Sequence, residues 1–338
     1  MKTKLVSWLK TALKIGFAVA LIWWIVSTGK LDLEGLKKLL SPNFVLVGMS
    51  LVFLSIFAGS ERWRRILVSQ NLKLSSVEVL KLTFIGTFFN FAMPGGVGGD
   101  VIKAYYLASG RPKAKVAAVT SVAMDRILGL YSMISMALVV MLFDIQHVFK
   151  IHSLTNLFVL ICLLFFCSSA FLYLAFSKAP PIKKFIFWAL TRLPLREKFI
   201  KLYESTHLYG SDTFLILHCL LLSFVAQTFS ILVMIYAGES SGLESVPYSV
   251  YFLVAPLGFM ATAIPISPAG LGVGQAAFYA LFNIYLSQTT ALGPTVITAL
   301  QALQIVFGLF GAVVYMTGKN PKTLPVAPSE PIVNPLKQ

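Results

Sequence analysis

The chain has 338 residues, of which 57% are hydrophobic and only 12% charged, with a formal net charge of +15. Soluble domains carry about 25% charged residues, so this composition excludes an ordinary soluble fold. The surplus of Lys and Arg fits cytoplasmic loops that face anionic head groups, and not nucleic acid.

The N-terminal stretch MKTKLVSWLKTALKIGFAVALIWWIVSTG has the basic flank and apolar centre of a signal peptide. Trp23 and Trp24 close the run and no A-x-A cleavage site follows, so it reads as an uncleaved first span at 15–28 with an interfacial Trp belt. Further full spans are expected at 44–59, 116–143, 154–176, 213–238 and 293–317, since apolar runs of roughly 20 residues cross a bilayer. Two more apolar regions, 79–108 and 248–286, are interrupted by glycine and proline. The pattern predicts an all-α polytopic membrane protein of about six full spans and two broken hairpins. It forms a single transmembrane domain over 1–318 with halves at about 44–177 and 213–317, followed by a disordered, proline-rich cytoplasmic tail at 319–338.

Lys and Arg set the orientation. Lys2, Lys4, Lys10 and Lys14, the stretch Glu61–Arg65 (ERWRR), the stretch Arg111–Lys115 (RPKAK) and the loop 178–201 are basic, whereas 239–244 has acids and no bases. A cytoplasmic N-terminus puts these basic segments inside, provided 79–108 returns to the side it entered from. Lys30, Lys37 and Lys38 then fall outside.

The first interrupted region holds NFAMPGGVGGDVIKAYYLA, where Pro94, Gly95, Gly96, Gly98 and Gly99 precede Asp100 and Lys103. Proline withholds a backbone donor and glycine accepts angles other residues avoid, so the chain can reverse at depth. Non-helical backbone there is tolerated only inside protein or along a wet cavity. The second region, PAGLGVGQAAFYAL, repeats the first without gaps. Pro268, Gly270, Gly272, Tyr279 and Leu281 fall on Pro94, Gly96, Gly98, Tyr105 and Leu107. On this topology the two enter from opposite sides, as re-entrant hairpins of an inverted repeat, which marks a transport site near the midplane. Helix hairpins whose glycines serve close packing are the alternative. Neither is a nucleotide loop, because no strand precedes it and no Gly-Lys-Ser/Thr follows.

Asp100 is placed to cap the half-helix that carries Lys103, one turn further on. Asp125 and Arg126 fall about ten residues into their span, close to mid-membrane at about 1.5 Å per residue. Ionisable groups at that depth belong in the interior, paired. Arg126 is expected to reach Asp100 or a ligand anion, and Asp125 a base such as Lys103. The candidate substrate-binding set is Lys103, Arg126, Asp100, Asp125, Asn90 and Gln275, the last standing near the place of Asp100 in the second repeat. A buried ion-pair network that locks the hairpin is the other reading of these charges. With no nucleophile–base pair, metal-ligand cluster or cofactor motif, no catalytic residue, metal or cofactor is expected. Cys162, Cys167 and Cys219 read as small core residues, and His147 and His152 as solvated histidines. The stretch 181–209 mixes Phe185, Phe187, Trp188 and Phe199 with Lys and Arg, and reads as an interfacial helix pair on the anionic membrane surface.

Three stretches in order, FIGTFFNFAMPGGVGGDVIKAYYLA, VAMDRILGL and PISPAGLGVGQAAF, resemble the membrane region of lysylphosphatidylglycerol synthase and its stand-alone flippase-like relatives, over about 5–317. Relatives often have Pro-Gly-Gly and a Glu in the last motif, where Ala269 and Gln275 stand here. The resemblance implies a multi-pass inner-membrane protein that moves, or helps to move, lipids between leaflets. In two-domain members a separate soluble domain transfers an aminoacyl group from tRNA, an activity not carried over to this chain, which is not expected to be an enzyme. The expected function is a flippase-like transporter of a phospholipid or polyprenyl-phosphate lipid. The head group would enter between the hairpins, with Lys103 and Arg126 attracting its phosphate. A non-catalytic partner of a lipid-modifying enzyme or glycosyltransferase, and an ion-coupled small-solute transporter, are the other readings.

Overall fold

The computed structural model describes residues 39–92, 97–109, 114–192, 196–264 and 266–317, with Trp23 and Lys37 besides. The rest of the expected first span, the segment with Pro94, Gly95 and Gly96, and the tail at 319–338 lie outside the described residues. Within them the fold is all α, without strands. Helix α1 spans Pro42–Ser69, α2 Ser76–Ala92, α3 Gly98–Ala108 and α4 Lys115–Phe143. The short α5, Ile145–Lys150, leads to α6, His152–Phe176, and then to α7, Pro180–Leu190, and α8, Arg196–His207. Helix α9 spans Thr213–Ser241, α10 Tyr248–Thr262, α11 Val273–Leu286 and α12 Leu292–Thr317.

Local signals account for the ends of the long helices. Ser41 caps α1 by accepting from Phe44 N at 3.3 Å, with Pro42 in the first helical position. Asp212 caps α9 through Leu215 N at 3.0 Å, and Gly242, at φ 74°, ends it in the left-handed conformation. Among the described residues six segments are long and apolar enough to cross a membrane: Pro42–Ser69, Lys115–Phe143, His152–Phe176, Thr213–Ser241, Pro268–Leu286 and Leu292–Thr317. The fifth is not one continuous α-helix. Its α-helical part is the 14 residues of α11, about 21 Å at 1.5 Å per residue, short of the ~30 Å hydrocarbon layer.

Helices α1 and α9 run antiparallel through the centre. Phe44 stacks on Tyr236 at 5.5 Å, Ser55 donates to Ala226 O at 2.8 Å, and Arg62 reaches Ser223 at 2.9 Å. Both interrupted regions fold as antiparallel helical hairpins. In the first, Gly99 N donates to Asn90 Oδ1 at 2.9 Å, and Lys103 lies further back along α2 against Gly86. In the second, Gly274 faces Thr262, Phe278 faces Phe259 at 5.8 Å and Phe282 faces Tyr251 at 5.4 Å.

The packing has a further regularity. Helix α2 lies on α12 and α10 on α4; α3 lies on α4 and α11 on α12; α1 touches α4 and α9 touches α12. Exchanging α1–α4 with α9–α12 maps each of these pairs onto another that is also present. The largest core cluster joins both sets, with Met141, Val250, Phe278 and Val296 all fully buried. The 181–209 stretch folds as two helices. Helix α8 docks through Gln70 Nε2 on Ser205 O and Thr120 on Ser205 Oγ, both at 2.8 Å. His147 is not solvated as expected: its ring lies 4.7 Å from that of Tyr285, with Nε2 3.1 Å from Tyr285 O.

Candidate functional site

The ionisable residues of the first hairpin and its neighbours divide into a buried group and an exposed pair. Arg62 and Asp125 form the buried group, bonded Nε to Oδ1 at 2.7 Å with side chains 14% and 13% exposed. Asp125 is thus paired with a base, as expected, but in place of Lys103, the example the sequence offered, that base is Arg62. Two features of the neighbouring helices let it in. Gly129, one turn after Asp125, has no side chain, and a Cβ there would lie 3.2 Å from Arg62 Nη1. Ser223 on α9 accepts a second guanidinium N–H, so the buried cation keeps its hydrogen bonds. Lys103 instead rests on the face of the buried Trp63 ring, 4.6 Å from its centroid, a cation–π contact that holds an amine in an apolar place.

Arg126 and Asp100 form the exposed pair. Arg126 Nε donates to Asp100 Oδ2 at 2.6 Å, and half of the arginine side chain, 50%, is exposed. Around it Val101, Tyr105, Val119 and Leu130 are all exposed apolar side chains of α3 and α4. Arg126 lies 11 residues into α4, about 16 Å along it at 1.5 Å per residue. An arginine thus sits on the lateral face of the bundle, well inside a spanning helix, with one carboxylate as its partner.

Asp100 does not cap α3 as expected. Val97 is the N-cap and makes no side-chain bond; the donor at Gly99 is served from the neighbouring helix by Asn90. Nor do Gly98 and Gly99 use unusual backbone angles: both are buried in the first turn of α3. Gly99 is needed for closeness. A Cβ on it would collide with Gly86 O and stand 2.8 Å from Asn90 Oδ1.

Gln275 is not the counterpart of Asp100. It is 3% exposed; its Oε1 accepts from Gly272 N at 2.7 Å, and its Nε2 donates to Gln301 Oε1 at 2.7 Å and Thr298 at 3.1 Å. That closes the start of α11 and ties it to α12. Here the break does use the left-handed region: Ala269 has φ 47°, Gly270 71° and Gly272 78°. Asn90, Asp100, Lys103, Asp125 and Arg126 therefore gather around α3, with Gln275 apart from them. The described part of the second hairpin has no ionisable side chain at its tip. The 3-10 turn Pro268–Gly270 packs on α2. Among the described residues no cluster of three or more His, Cys, Asp or Glu is placed to hold a metal.

Spanning helices, two helical hairpins, and charges paired inside the spans define a multi-pass α-helical membrane protein. The chain belongs to the lysylphosphatidylglycerol synthase TM region family, which it matches over residues 11–311. The match is to the membrane region of that synthase. The chain is also similar to a UPF0104 membrane protein, PH1989, of Pyrococcus horikoshii, with 26% identity over 150 residues. That alignment covers 43% of this chain and 42% of the relative.

Proposed function

We propose that this protein moves a phosphate-bearing lipid between membrane leaflets, and that Arg126 is the group that meets the phosphate. The observation that carries this reading is the position of Arg126, half exposed on an apolar lateral face and, among the described residues, ion-paired with Asp100. A charged side chain inside a membrane is costly without a partner. Asp100 supplies that partner while the site is empty. An arriving phosphate competes for the same guanidinium, which suits it through paired N–H donors. The acyl chains stay outside, along Val101, Tyr105, Val119 and Leu130. Behind the pair, Arg62, Asp125, Lys103 and Trp63 hold α3 and α4 in register, as a scaffold that the lipid does not touch.

The proposal includes an inverted repeat of two re-entrant hairpins in the inner membrane, with the N-terminus cytoplasmic. Its supports are the antiparallel α1–α9 pair, the exchange of packing partners between α1–α4 and α9–α12, and the basic segments that fall on one side. The protein acts without chemistry of its own. The test is purified protein in liposomes with fluorescent lipids of several head groups, scored for leaflet exchange. Exchange of phosphate-bearing lipids that falls at least tenfold in Arg126→Gln is expected; equal exchange by the variant contradicts the assignment.

A further inference from the structure

A second polar site lies where α1 ends and α9 begins. A cavity of about 290 Å³ opens there between Arg64 and Arg65 on one wall and Asp212 and His218 on the other. The two walls differ in hydrogen-bonding character. Arginine offers only donors. Arg64 spends two of its own on Glu61, at 2.6 and 2.7 Å. Arg65 Nε is buried without a hydrogen-bond partner, and Glu61 Oε1 lies 3.7 Å from it. The opposite wall offers acceptors. Asp212 is a carboxylate, and His218 Nδ1 lies 3.2 Å from Phe214 O; donating there leaves its Nε2 to accept. Asp212 in the lining and Glu61, outside it but paired with both arginines, together balance the charges of Arg64 and Arg65.

Apolar surface leads away from it. Phe214, Leu217 and Leu221 are 67%, 64% and 59% exposed and follow one another along one face of α9. We infer that this cavity seats the head group of a glycerophospholipid that carries both a phosphate and a primary amine. The phosphate takes the unused donors of Arg65, the ammonium donates to Asp212 and His218 Nε2, and the acyl chains lie along Phe214, Leu217 and Leu221. A purely anionic head group would bring a like charge to Asp212, and a quaternary ammonium has no N–H for the acceptor wall. The site is separate from the Arg126 face and does not require that the protein move lipid.

The test is thermal unfolding of the purified full chain in detergent with added dioleoyl phosphatidylethanolamine, phosphatidylglycerol or phosphatidylcholine, and with soluble phosphoethanolamine. Phosphatidylethanolamine is expected to raise Tm by several degrees, the other two lipids by less than half as much, and the soluble head group not at all. Arg65→Gln and Asp212→Asn should each remove most of that shift, whereas Arg126→Gln should keep it. Asparagine caps a helix as well as aspartate does, so Asp212→Asn carries the decision if Arg65→Gln fails to fold. Equal shifts from phosphatidylglycerol, or an undiminished shift in the decisive variant, overturn the proposal. So does an equal shift from soluble phosphoethanolamine, which would make the ligand a free head group. A shift lost in Arg126→Gln and kept in Arg65→Gln overturns this site while leaving the Arg126 reading intact.

Discussion

In the first hairpin α3 is pressed against α2 at Gly99 and Gly86, its start is closed from outside by Asn90, and its charged residues reach other helices. In the second, the break is a left-handed stretch at Ala269, Gly270 and Gly272, and Gln275 closes the start of α11 from within. The same spacing of proline and glycine therefore does two physical jobs. One hairpin brings backbones close enough to place ions between helices; the other seals its polar groups into a neutral network with Gln301 and Thr298. The comparison separates a charged hairpin from a neutral one, within a packing scheme that treats the two alike.

The comparison is broken most strongly at Asp125. Asp125→Asn leaves Arg62 buried without its counter-charge and should cost about 3–5 kcal/mol, read as a fall in Tm in detergent, with Gly129 and Ser223 unable to compensate. Gly99→Ala should cost about 2 kcal/mol, because the added methyl meets the backbone of Gly86, which cannot yield as a flexible side chain would. Alanine at Gly59 of α1, where an added Cβ meets nothing within 4 Å, is the control. The smallest effect has the opposite sign. Ala269 stands at φ 47°, a conformation that costs a residue with a Cβ about 1–2 kcal/mol, so Ala269→Gly should stabilise by about 1 kcal/mol without changing lipid exchange. Loss of exchange in Ala269→Gly would place function in the second hairpin as well.

Much of this was legible before the fold was known, for physical reasons that can be named. The spans from 116, 154, 213 and 293 are long apolar runs, and the helices found there begin and end within a few residues of them. Asp100 and Arg126 meet because each is an ion that a membrane span cannot leave alone. Arg62 was hidden by its company. Within ERWRR it reads as part of a basic flank, yet it lies seven residues before the end of α1, about 10 Å inside the helix, and that depth was the available signal. Gln275 was misread by alignment to Asp100, although its place three residues after Gly272 is the spacing of a side chain that closes a helix start. The left-handed angle at Ala269 has no signature in an alanine.

The central claim is that Arg126 meets the lipid while the surrounding ions hold the helices. It is tested most directly by four proteins: the unaltered chain, Asp100→Arg, Arg126→Asp and the double exchange, each measured for Tm and for leaflet exchange in liposomes. A structural pair needs only opposite signs, so the double variant should regain most of the stability that either single change loses. It should not regain exchange, because the cation then stands on α3 in another geometry. Recovery of both stability and exchange would make the Arg126–Asp100 pair scaffold and contradict the account.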